Sequence, residues 1–504
     1  MFHYGYRCLT RLEAMYMPAS FSPSADDLLR FSPEIVLTVA GTLLMVLDPL
    51  FAKRLPKLFG HLSILALLLA IAGAAGANSV PGSSFSNLLV VDGFATFFRF
   101  LVLAIGILTV LASYRYLDLE EAETGEYHAL LLFSIVGQCL MVAANDLIMI
   151  FIGLEISSIA TYILAGYLRN DKRNNEAALK YFLLGSFATA FLLYGVALIY
   201  GVTGTTKLDE IRTALNSPAA SSSFAMVAVA AALMFVGLGF KVSGAPFQIW
   251  APDVYQGAPA PVSAFMATGP KAAAFAVFFR IFLTAFQQIA AGWEPLVWIS
   301  ALLSMTIGNF AALTQTNLKR MLAYSSIAHA GYVLVALAAH SDIGTAAAMF
   351  YLAAYALMNI GAFAVVIHMS GKGERHLKIE DLAGLGQRQP VTAAMLTIFL
   401  MSLIGIPLTG GFFGKFYIFE AALQSNLVWL TVLGLLNSAV AAYYYLRLLV
   451  VMYMYEPGEV ANNIEPLTPG LRAALILPAI GTFFLGVLPG VVLGFAQRSA
   501  TLGH

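Results

Sequence analysis

Charged residues are scarce in this sequence. They make up 11% of its 504 residues, whereas 60% are hydrophobic, and the mean hydropathy is +0.82. These values exclude an ordinary water-soluble globular protein. The 27 basic and 27 acidic residues cancel, and there is no block of basic residues that would bind nucleic acid. The sequence therefore predicts an integral membrane protein that contacts the lipid bilayer and no nucleic acid.

Cysteine is scarce as well. The two cysteines are Cys8 and Cys139, and neither belongs to a CxxC or Cys/His pattern, so a disulfide framework is excluded. For the same reason we expect this chain to bind no metal, haem or iron–sulfur cluster. Residues 1–31 lack the apolar core and the cleavage site of a signal peptide. We treat them as an N-terminal extension, for which Met15 and Met17 are alternative starts.

Long apolar runs recur along the whole chain. A run of about 17 to 25 residues is long enough to cross the hydrocarbon core as a helix. The connections between the runs are short, which leaves no room for a soluble domain. We predict an all-α polytopic membrane protein with about fourteen transmembrane helices. The runs lie at 32–52, 58–77, 92–114, 128–144, 146–168, 176–202, 224–256, 261–287, 295–314, 320–339, 343–369, 391–424, 427–454 and 471–495.

Basic residues concentrate in alternate loops. Cytoplasmic loops carry an excess of Lys and Arg, so we assign this set of loops to the cytoplasm. An even number of helices then puts both termini on the other side. The intervening loops contain only Lys207 and Arg212. The cytoplasmic set is Lys53, Arg54, Lys57, Arg115, Arg169, Lys172, Arg173, Lys319, Arg320, Lys372, Arg375, Lys378, Arg388 and Arg472.

Two of the apolar runs are too long for one crossing. The run 224–256 is interrupted at Ser243 to Pro246, and the run 391–424 at Gly405 to Gly411. Because proline donates no backbone hydrogen bond, each run predicts a broken helix. Paired broken helices are typical of transport pathways at the bilayer midplane.

The two breaks suggest an internal repeat. Each lies late in a unit of about five helices, and an odd number of crossings reverses the direction of the second unit. We therefore predict two inverted five-helix repeats, each with a broken helix. The predicted segments are the extension 1–31, the first three helices at 32–127, the first repeat at 128–290, the inverted repeat at 291–456 and a C-terminal helix at 457–504.

A few charges fall inside the apolar runs. Glu155 stands alone in NDLIMIFIGLEISSIATYILAGY. A charge at mid-bilayer costs about 2.5 to 3.5 kcal/mol, so it normally faces a partner or water. We expect Lys241 or Lys180 to be the partner of Glu155. The basic residues within or near the runs are Arg99, Lys180, Lys241, Lys271, Arg280, Lys415 and Arg447.

These side chains suit proton transfer better than binding of a bulky solute. Burial favours a neutral lysine and a nearby carboxylate favours a charged one, so a small rearrangement can change the protonation of such a lysine. Lys271 follows Gly269-Pro270 inside a run, and Lys415 follows the second break. Imidazole titrates near neutral pH, so His329 and His368 are further candidates for the same path.

Each candidate also has a structural alternative. Glu155 and Lys241 could form a purely structural ion pair, and the Lys180 side chain could extend to the membrane interface. Lys271 could mark a packing irregularity, and His329 could be a hydrogen-bonded core residue. We expect Arg280 and Arg447 to be structural, and Asp253, Tyr255 and Gln256 to fix the turn after the first break.

Four segments resemble a known family. They are NDLIMIFIGLEISSIATYILAGY, KVSGAPFQIWAPDVYQGAPAPVSAF, LKRMLAYSSIAHAGY and GIPLTGGFFGKFYIF. In this order and spacing they resemble the antiporter-like membrane subunits of proton-translocating NADH:quinone oxidoreductase, respiratory complex I, over about residues 32–455. The PDVYQGAP turn and the GFFGK form of the second break are similar to subunit N rather than to subunits L and M.

The resemblance implies a fold of fourteen helices with two inverted repeats, and it implies roles for the buried side chains. Glu155 and Lys241 would form the input pair of a proton path, and Lys271 would connect its halves. His329 would lie on the central polar axis. Lys415 would serve the exit side, and Lys180 would modulate the path.

The resemblance also implies the setting of the chain. It would be a non-redox subunit of a proton-translocating enzyme, with NADH, FMN, iron–sulfur clusters and quinone bound by other subunits. Its neighbours would be subunit M and small subunits such as K, in the bacterial inner membrane with both termini periplasmic. One alternative is a subunit of a cation/proton antiporter without redox partners. Another is a purely structural role for the buried charges.

Overall fold

The chain folds into a bundle of long helices. Thirteen helices among the described residues are long and apolar enough to cross a membrane. One more expected crossing, at 391–424, consists of two shorter helices. The prediction of an all-α polytopic membrane protein is therefore confirmed. The computed structural model describes residues 23–51, 56–122, 124–216, 224–463 and 465–502.

We number the crossing helices and half-helices in chain order. They are α1 (Ser32–Phe51), α2 (Pro56–Asn78), α3 (Gly93–Glu120), α4 (Gly125–Ala143), α5 (Leu147–Ala165), α6 (Lys172–Thr203), α7 (Phe224–Lys241), α8 (Ala251–Gly257), α9 (Ala260–Arg280), α10 (Ala290–Leu313), α11 (Leu318–Ala338), α12 (Asp342–Ser370), α13 (Pro390–Ile404), α14 (Gly410–Gln424), α15 (Val428–Met454) and α16 (Pro469–Val487). A hairpin of β1 (Gly82–Ser84) and β2 (Leu89–Val91) joins α2 to α3. Shorter helical segments are Ala25–Arg30, Leu208–Leu215, Gln248–Trp250, Ile281–Ala285, Gln287–Ile289, Ile379–Leu382, Leu385–Arg388, Glu459–Asn463 and Pro489–Ser499.

Polar side chains set where several crossing helices begin. Asp92 and Asp146 accept hydrogen bonds from backbone N–H groups in the first turns of α3 and α5. Asn317 and Ser341 do the same for α11 and α12. The first N–H groups of a helix have no partner within the helix, so these caps define helix ends that an apolar run leaves open.

Three helices form the centre of the bundle. Every residue of α9 is buried, and nearly all residues of α11 and α12 are buried as well. Helices such as α6 and α15 instead leave one side exposed, as expected of helices that face lipid. Lys271 and His329 therefore lie in the interior of the protein.

The first predicted break is confirmed between α7 and α8. Lys241 ends α7, and Ser243 has the left-handed φ of 59°. The backbone of Ala245 is bonded on both sides by α10: its N–H donates to Ser304 Oγ at 2.7 Å, and its carbonyl accepts from Ser300 Oγ at 2.6 Å. Broken backbone at membrane depth needs such partners.

The second predicted break is confirmed between α13 and α14. Gly405 ends α13 with φ of 95°, and Leu408 has φ of 70°. The carbonyls of Leu403 and Ile404, at the end of α13, have no helical partner ahead of them. They accept hydrogen bonds from the Lys415 side chain instead. The inverted relation of the two repeats stays a prediction.

Several details differ from the sequence prediction, among them the following. Lys319 was assigned to an exposed loop, but it is fully buried in the first turn of α11. Arg115 lies within α3, where it is buried and paired with Glu465. The run 471–495 ends as a helix at Val487, because Pro489 begins a separate short helix. Cys8, Lys53 and Arg54 lie outside the described residues, as does most of the predicted extension.

Glu34 and Arg99 form a buried ion pair between α1 and α3. Their side chains are 1% exposed each, and Arg99 Nη2 lies 2.6 Å from Glu34 Oε1. Arg99 also donates to the carbonyl of Arg30 at 3.1 Å. Removing one partner of such a pair leaves the other charge buried without compensation.

We therefore expect Glu34→Ala to destabilise the protein by about 3 to 5 kcal/mol. Asp118→Ala is the control, because Asp118 pairs with Lys57 on the surface and its loss should cost less than about 1 kcal/mol. Denaturation midpoints of the purified variants in detergent measure both effects. Equal losses in the two variants would contradict the prediction.

Candidate functional site

Lys241 ends α7 beside the first break and is buried. Its Nζ donates to Ser158 Oγ of α5 at 2.8 Å and to the Tyr181 hydroxyl of α6 at 3.4 Å. It also lies 5.6 Å from the centre of the Tyr181 ring, a position in which an aromatic face stabilises a cation. Three helices thus hold this ammonium group in the interior.

Glu155 does not form the predicted ion pair. Among the described residues, neither Lys241 nor Lys180 lies within salt-bridge distance of its carboxylate, and Glu155 Oε1 is buried without a hydrogen-bond partner. Lys241 instead contacts Ser158, one helical turn further along α5. The sequence places an acid and a base in the same region, but the helix rotation and depth decide which side chains meet.

Lys180 belongs to a different cluster. Its Nζ lies 2.8 Å from Glu176 and 2.9 Å from Asp253, and the side chain is 41% exposed. Asp253 also accepts from Arg320 of α11 at 2.6 Å, so it joins α6, α8 and α11. These contacts agree with the expected role of Asp253 in fixing the turn. A polar cavity of about 200 Å³ adjoins them, lined by Arg173, Glu176, Ala177, Lys180, Asp253, Gln256 and Gly257.

Lys271 lies in α9, directly after Pro270, and is 2% exposed. Its Nζ donates to Ser326 Oγ at 2.6 Å and to the Ser326 carbonyl at 3.2 Å. Ser326 belongs to α11, so this contact joins the two central helices. His329 is one turn beyond Ser326 on the same helix.

His329 is enclosed by tyrosines. Its Nδ1 is hydrogen-bonded to the Tyr351 hydroxyl, and its Nε2 lies 3.2 Å from the Tyr445 hydroxyl. The rings of Tyr355 and Tyr332 lie 5.2 Å and 5.6 Å from the imidazole. Both ring nitrogens therefore have a hydroxyl partner, and a hydroxyl can donate or accept a proton.

Lys415 is the sixth residue of α14, the helix that follows the second break. Its Nζ donates to the carbonyls of Leu403 and Ile404 at 3.0 Å and 2.9 Å, and to Ser438 Oγ of α15 at 2.8 Å. An ammonium group has three donors, and all of them are used here. The nitrogen also lies 4.8 Å from the centre of the Tyr332 ring.

One face of α11 connects Lys271 to Lys415. Ser326, His329 and Tyr332 follow each other at one-turn spacing, and they contact Lys271, the tyrosine cluster and Lys415 respectively. The lysines and His329 were predicted from the sequence, whereas the serines and tyrosines that contact them were not. The SxxHxxY spacing on one predicted helix was the signal that could have found them.

His368 lies apart from this group of side chains. Its Nε2 is hydrogen-bonded to Gln389 Oε1 at 2.8 Å, at the start of α13. Arg280 forms a bidentate ion pair with Asp92, with both N···O distances at 3.0 Å. Arg447 donates to the Gln315 carbonyl at 3.4 Å. These contacts agree with the structural roles expected for both arginines.

Comparisons with known proteins agree with the geometry. Residues 144–441 match the family model described as the transmembrane domain of NADH:quinone oxidoreductase/Mrp antiporter proteins. The chain is 67% identical to NADH-quinone oxidoreductase subunit N 1 of Solibacter usitatus over 96% of its own length and 99% of that protein. It is 46% identical to subunit N of Trichlorobacter lovleyi, over 93% and 96% of the two chains.

Solved structures share this fold. A chain of respiratory complex I from Thermus thermophilus with bound aureothin superimposes with a TM-score of 0.78 at 36% identity, covering 92% of this chain and 99% of that one. A chain of the Mrp complex from Dietzia sp. superimposes with a TM-score of 0.81 at 21% identity, over 95% and 97% of the two chains. The second likeness shows the fold alone.

Lys271 and Lys415 should differ in their contribution to stability. Lys271→Met removes a buried ammonium group that has no counter-ion among the described residues, so we expect unchanged or slightly higher stability, by up to about 2 kcal/mol. Lys415→Met leaves two carbonyls and Ser438 without their donor, so we expect a loss of about 1 to 3 kcal/mol. Denaturation midpoints in detergent measure the difference, and a larger loss in Lys271→Met than in Lys415→Met would refute this reading of the contacts.

Proposed function

This chain belongs to the subunit N family of NADH-quinone oxidoreductase, an antiporter-like membrane subunit of respiratory complex I, and we propose that it moves protons through its interior while other subunits carry the redox chemistry. The observation that supports this role is the line of buried side chains from Lys271 through Ser326 and His329 to Lys415. Titratable groups inside a membrane protein normally mark an ion path.

Uptake begins at Lys241 in this proposal. Its ammonium group has hydroxyl partners, Ser158 and Tyr181, and no carboxylate of the described residues is in direct contact with it. Glu155 lies one helical turn from Ser158, and its charge acts on Lys241 through a medium of low dielectric. Gain or loss of a proton at Glu155 therefore changes how readily Lys241 releases its own proton.

The polar cavity beside Asp253 supports uptake from the side that carries the basic loops. Lys180 and Arg320 both bind Asp253 there, and Lys180 modulates the local field rather than transferring protons along the interior. The buried hydroxyl of Tyr255 lies close to those of Ser243 and Ser326, and neither Ser243 nor Tyr255 makes a hydrogen bond of standard geometry within the described residues. Such groups are available to bind bridging water.

Transfer continues along α11. The hydroxyl of Ser326 accepts a hydrogen bond from Lys271 and can donate in turn, since a hydroxyl does both. The His329 imidazole can gain a proton at one nitrogen and lose one at the other. Its two tyrosine partners hold the ring so that both nitrogens stay hydrogen-bonded during this exchange.

Lys415 is the last acceptor before release. Its three partners match the three donors of the charged ammonium group. Two of them are carbonyls at the C-terminal end of α13, where the helix dipole favours a cation. Release of the proton then requires the break between α13 and α14 to move, which gives the broken helix a role in the exit step.

We further propose where a neighbouring subunit binds. Glu155 lies on a stripe of α5 with Ile148, Ile152, Ile159 and Ile163, whose exposures are 39% to 52%. A charged side chain at the lipid boundary is costly unless protein covers it, so a membrane subunit such as M or K covers this face. NADH, FMN, iron–sulfur clusters and quinone are bound elsewhere in the complex. The complex lies in the bacterial inner membrane, with both termini of this chain periplasmic.

A cation/proton antiporter without redox partners is the alternative, because a chain of the Mrp complex has the same fold. Sodium ions bind several oxygen ligands, as hard cations do. The basic side chains of the proposed path are instead ammonium and imidazole groups, which bind no cation when protonated, and Glu155 is its one carboxylate. This chemistry favours protons as the transported ion.

Lys241→Ala and Glu155→Gln test the proposal most directly. In membrane vesicles that contain the assembled complex, we expect the proton-pumping rate to fall about tenfold or more in Lys241→Ala, with a smaller loss in Glu155→Gln. Pumping is measured as vesicle acidification on addition of NADH and is divided by the amount of assembled complex. Lys372→Met, on an exposed ion pair, is the control. Normal pumping in both interior variants would refute the proton path.

Lys415→Arg separates charge from proton release. Arginine keeps a positive charge that protein environments do not remove. We therefore expect the complex to assemble and the proton-pumping rate to fall about tenfold. Pumping at the unmodified rate would remove Lys415 from the path while leaving the rest of it standing.

A further inference from the structure

Lys319 and Glu374 form a second buried ion pair that the proton path does not use. Lys319 Nζ lies 2.6 Å from Glu374 Oε2, and the side chains are 0% and 8% exposed. Lys319 begins α11, whereas Glu374 lies in the loop after α12. The sequence predicted a loop position for Lys319, so the burial of this residue against Glu374 is a property of the tertiary structure.

Both charged groups also bind the backbone between α8 and α9. Lys319 Nζ donates to the carbonyl of Ala258, and Glu374 Oε1 accepts from the N–H of Ala260 at 2.7 Å. Helical structure is interrupted at this point, since Ala258 is extended and α9 starts at Ala260. The ion pair therefore holds the first residue of the helix that carries Lys271.

The loop that carries Glu374 is shaped to direct it inward. Gly371, Gly373 and Glu374 have φ of 64°, 69° and 51°. A left-handed conformation is unfavourable for glutamate and persists only where the surroundings impose it. Those surroundings are contacts of Gly373: its N–H donates to Glu120 at 2.5 Å, and its carbonyl accepts from Arg173 at 3.0 Å.

The pair thus ties together the starting points of two helices whose side chains must meet. Lys319 is two turns from Ser326 on α11, and Ala260 is three turns from Lys271 on α9. The proposed proton step needs the 2.6 Å contact between Lys271 Nζ and Ser326 Oγ. Because the two atoms lie on different helices, a shift of either helix along its axis changes this distance. In a tightly packed interior the neighbouring side chains have little room to compensate for such a shift.

We propose that Lys319 and Glu374 are positioning residues for proton transfer, which set the axial register of α9 against α11 and thereby the reach of Lys271 to Ser326. This inference rests on the proposed function. The pair acts in one orientation only, because the lysine meets a carbonyl and the glutamate meets an N–H. Exchanging the two side chains preserves their mutual attraction but turns both backbone contacts into repulsions.

The test measures protons pumped per NADH oxidised in vesicles that contain the assembled complex. We expect Glu374→Gln to lower this ratio at least twofold, because the amide keeps the Ala260 contact but leaves Lys319 without a counter-charge. Glu374→Asp, which is too short to reach both partners, should lower it as well. The exchanged variant, Lys319→Glu with Glu374→Lys, should not recover the ratio.

Two matched pairs separate positioning from simple stability. Glu34→Gln weakens the equally buried pair with Arg99, so it should reduce the amount of assembled complex without changing protons per NADH. Glu121→Gln weakens the exposed pair with Lys372 on the same loop and should change neither quantity.

The outcomes are distinguishable. An unchanged ratio in both Glu374→Gln and Glu374→Asp would overturn the positioning role, as would full recovery in the exchanged variant. Lys271→Met, assayed in parallel, reports on the proposed function itself. If Lys271→Met pumps normally, the proton path fails; if it does not pump while the Glu374 variants pump normally, only the positioning role fails. Should Glu374→Gln not assemble, the Glu374→Asp ratio decides.

Discussion

Backbone hydrogen bonding inside a bilayer is the constraint on which this structure depends. An interrupted helix exposes N–H and carbonyl groups that water cannot reach, so each must find a partner in the protein. After α13 the partner is the ammonium group of Lys415. Beside Lys241, two serines of α10 satisfy Ala245. The same interruptions that cost backbone bonds thus create polar positions for charged side chains in the interior.

Buried charge is handled in two different ways. Glu34 with Arg99 and Lys319 with Glu374 are direct ion pairs, and each fastens two parts of the bundle. Lys271 instead has only neutral oxygen partners among the described residues. A direct ion pair holds both groups in their charged forms, whereas a lysine among neutral partners can lose its proton at a smaller cost. The arrangement separates groups that hold the fold from groups suited to transfer protons.

Much of the fold could be predicted because lipid imposes simple rules. Apolar length locates the helices, and proline with glycine locates the breaks at Pro246 and Gly405. Element ends were less predictable, as Val487 shows, because caps and prolines act locally. The predicted ion pair of Glu155 was wrong. A difference of one helical turn decides whether Lys241 contacts Glu155 or Ser158. The predicted loop position of Lys319 was wrong, because a charged residue next to an apolar run has the same pattern whether it lies in a loop or in the first turn of a helix.

The sequence by itself determined the class of protein, the family resemblance and the identity of the interior lysines, because hydropathy and charge act along the chain. Only the tertiary structure decided which groups touch. Ser326 lies on α11, whereas Tyr445 and Ser438 lie on α15, and their contacts with Lys271, His329 and Lys415 follow from helix rotation and depth. Neither quantity leaves a signal in hydropathy, since an apolar run buried among helices and one facing lipid have the same composition.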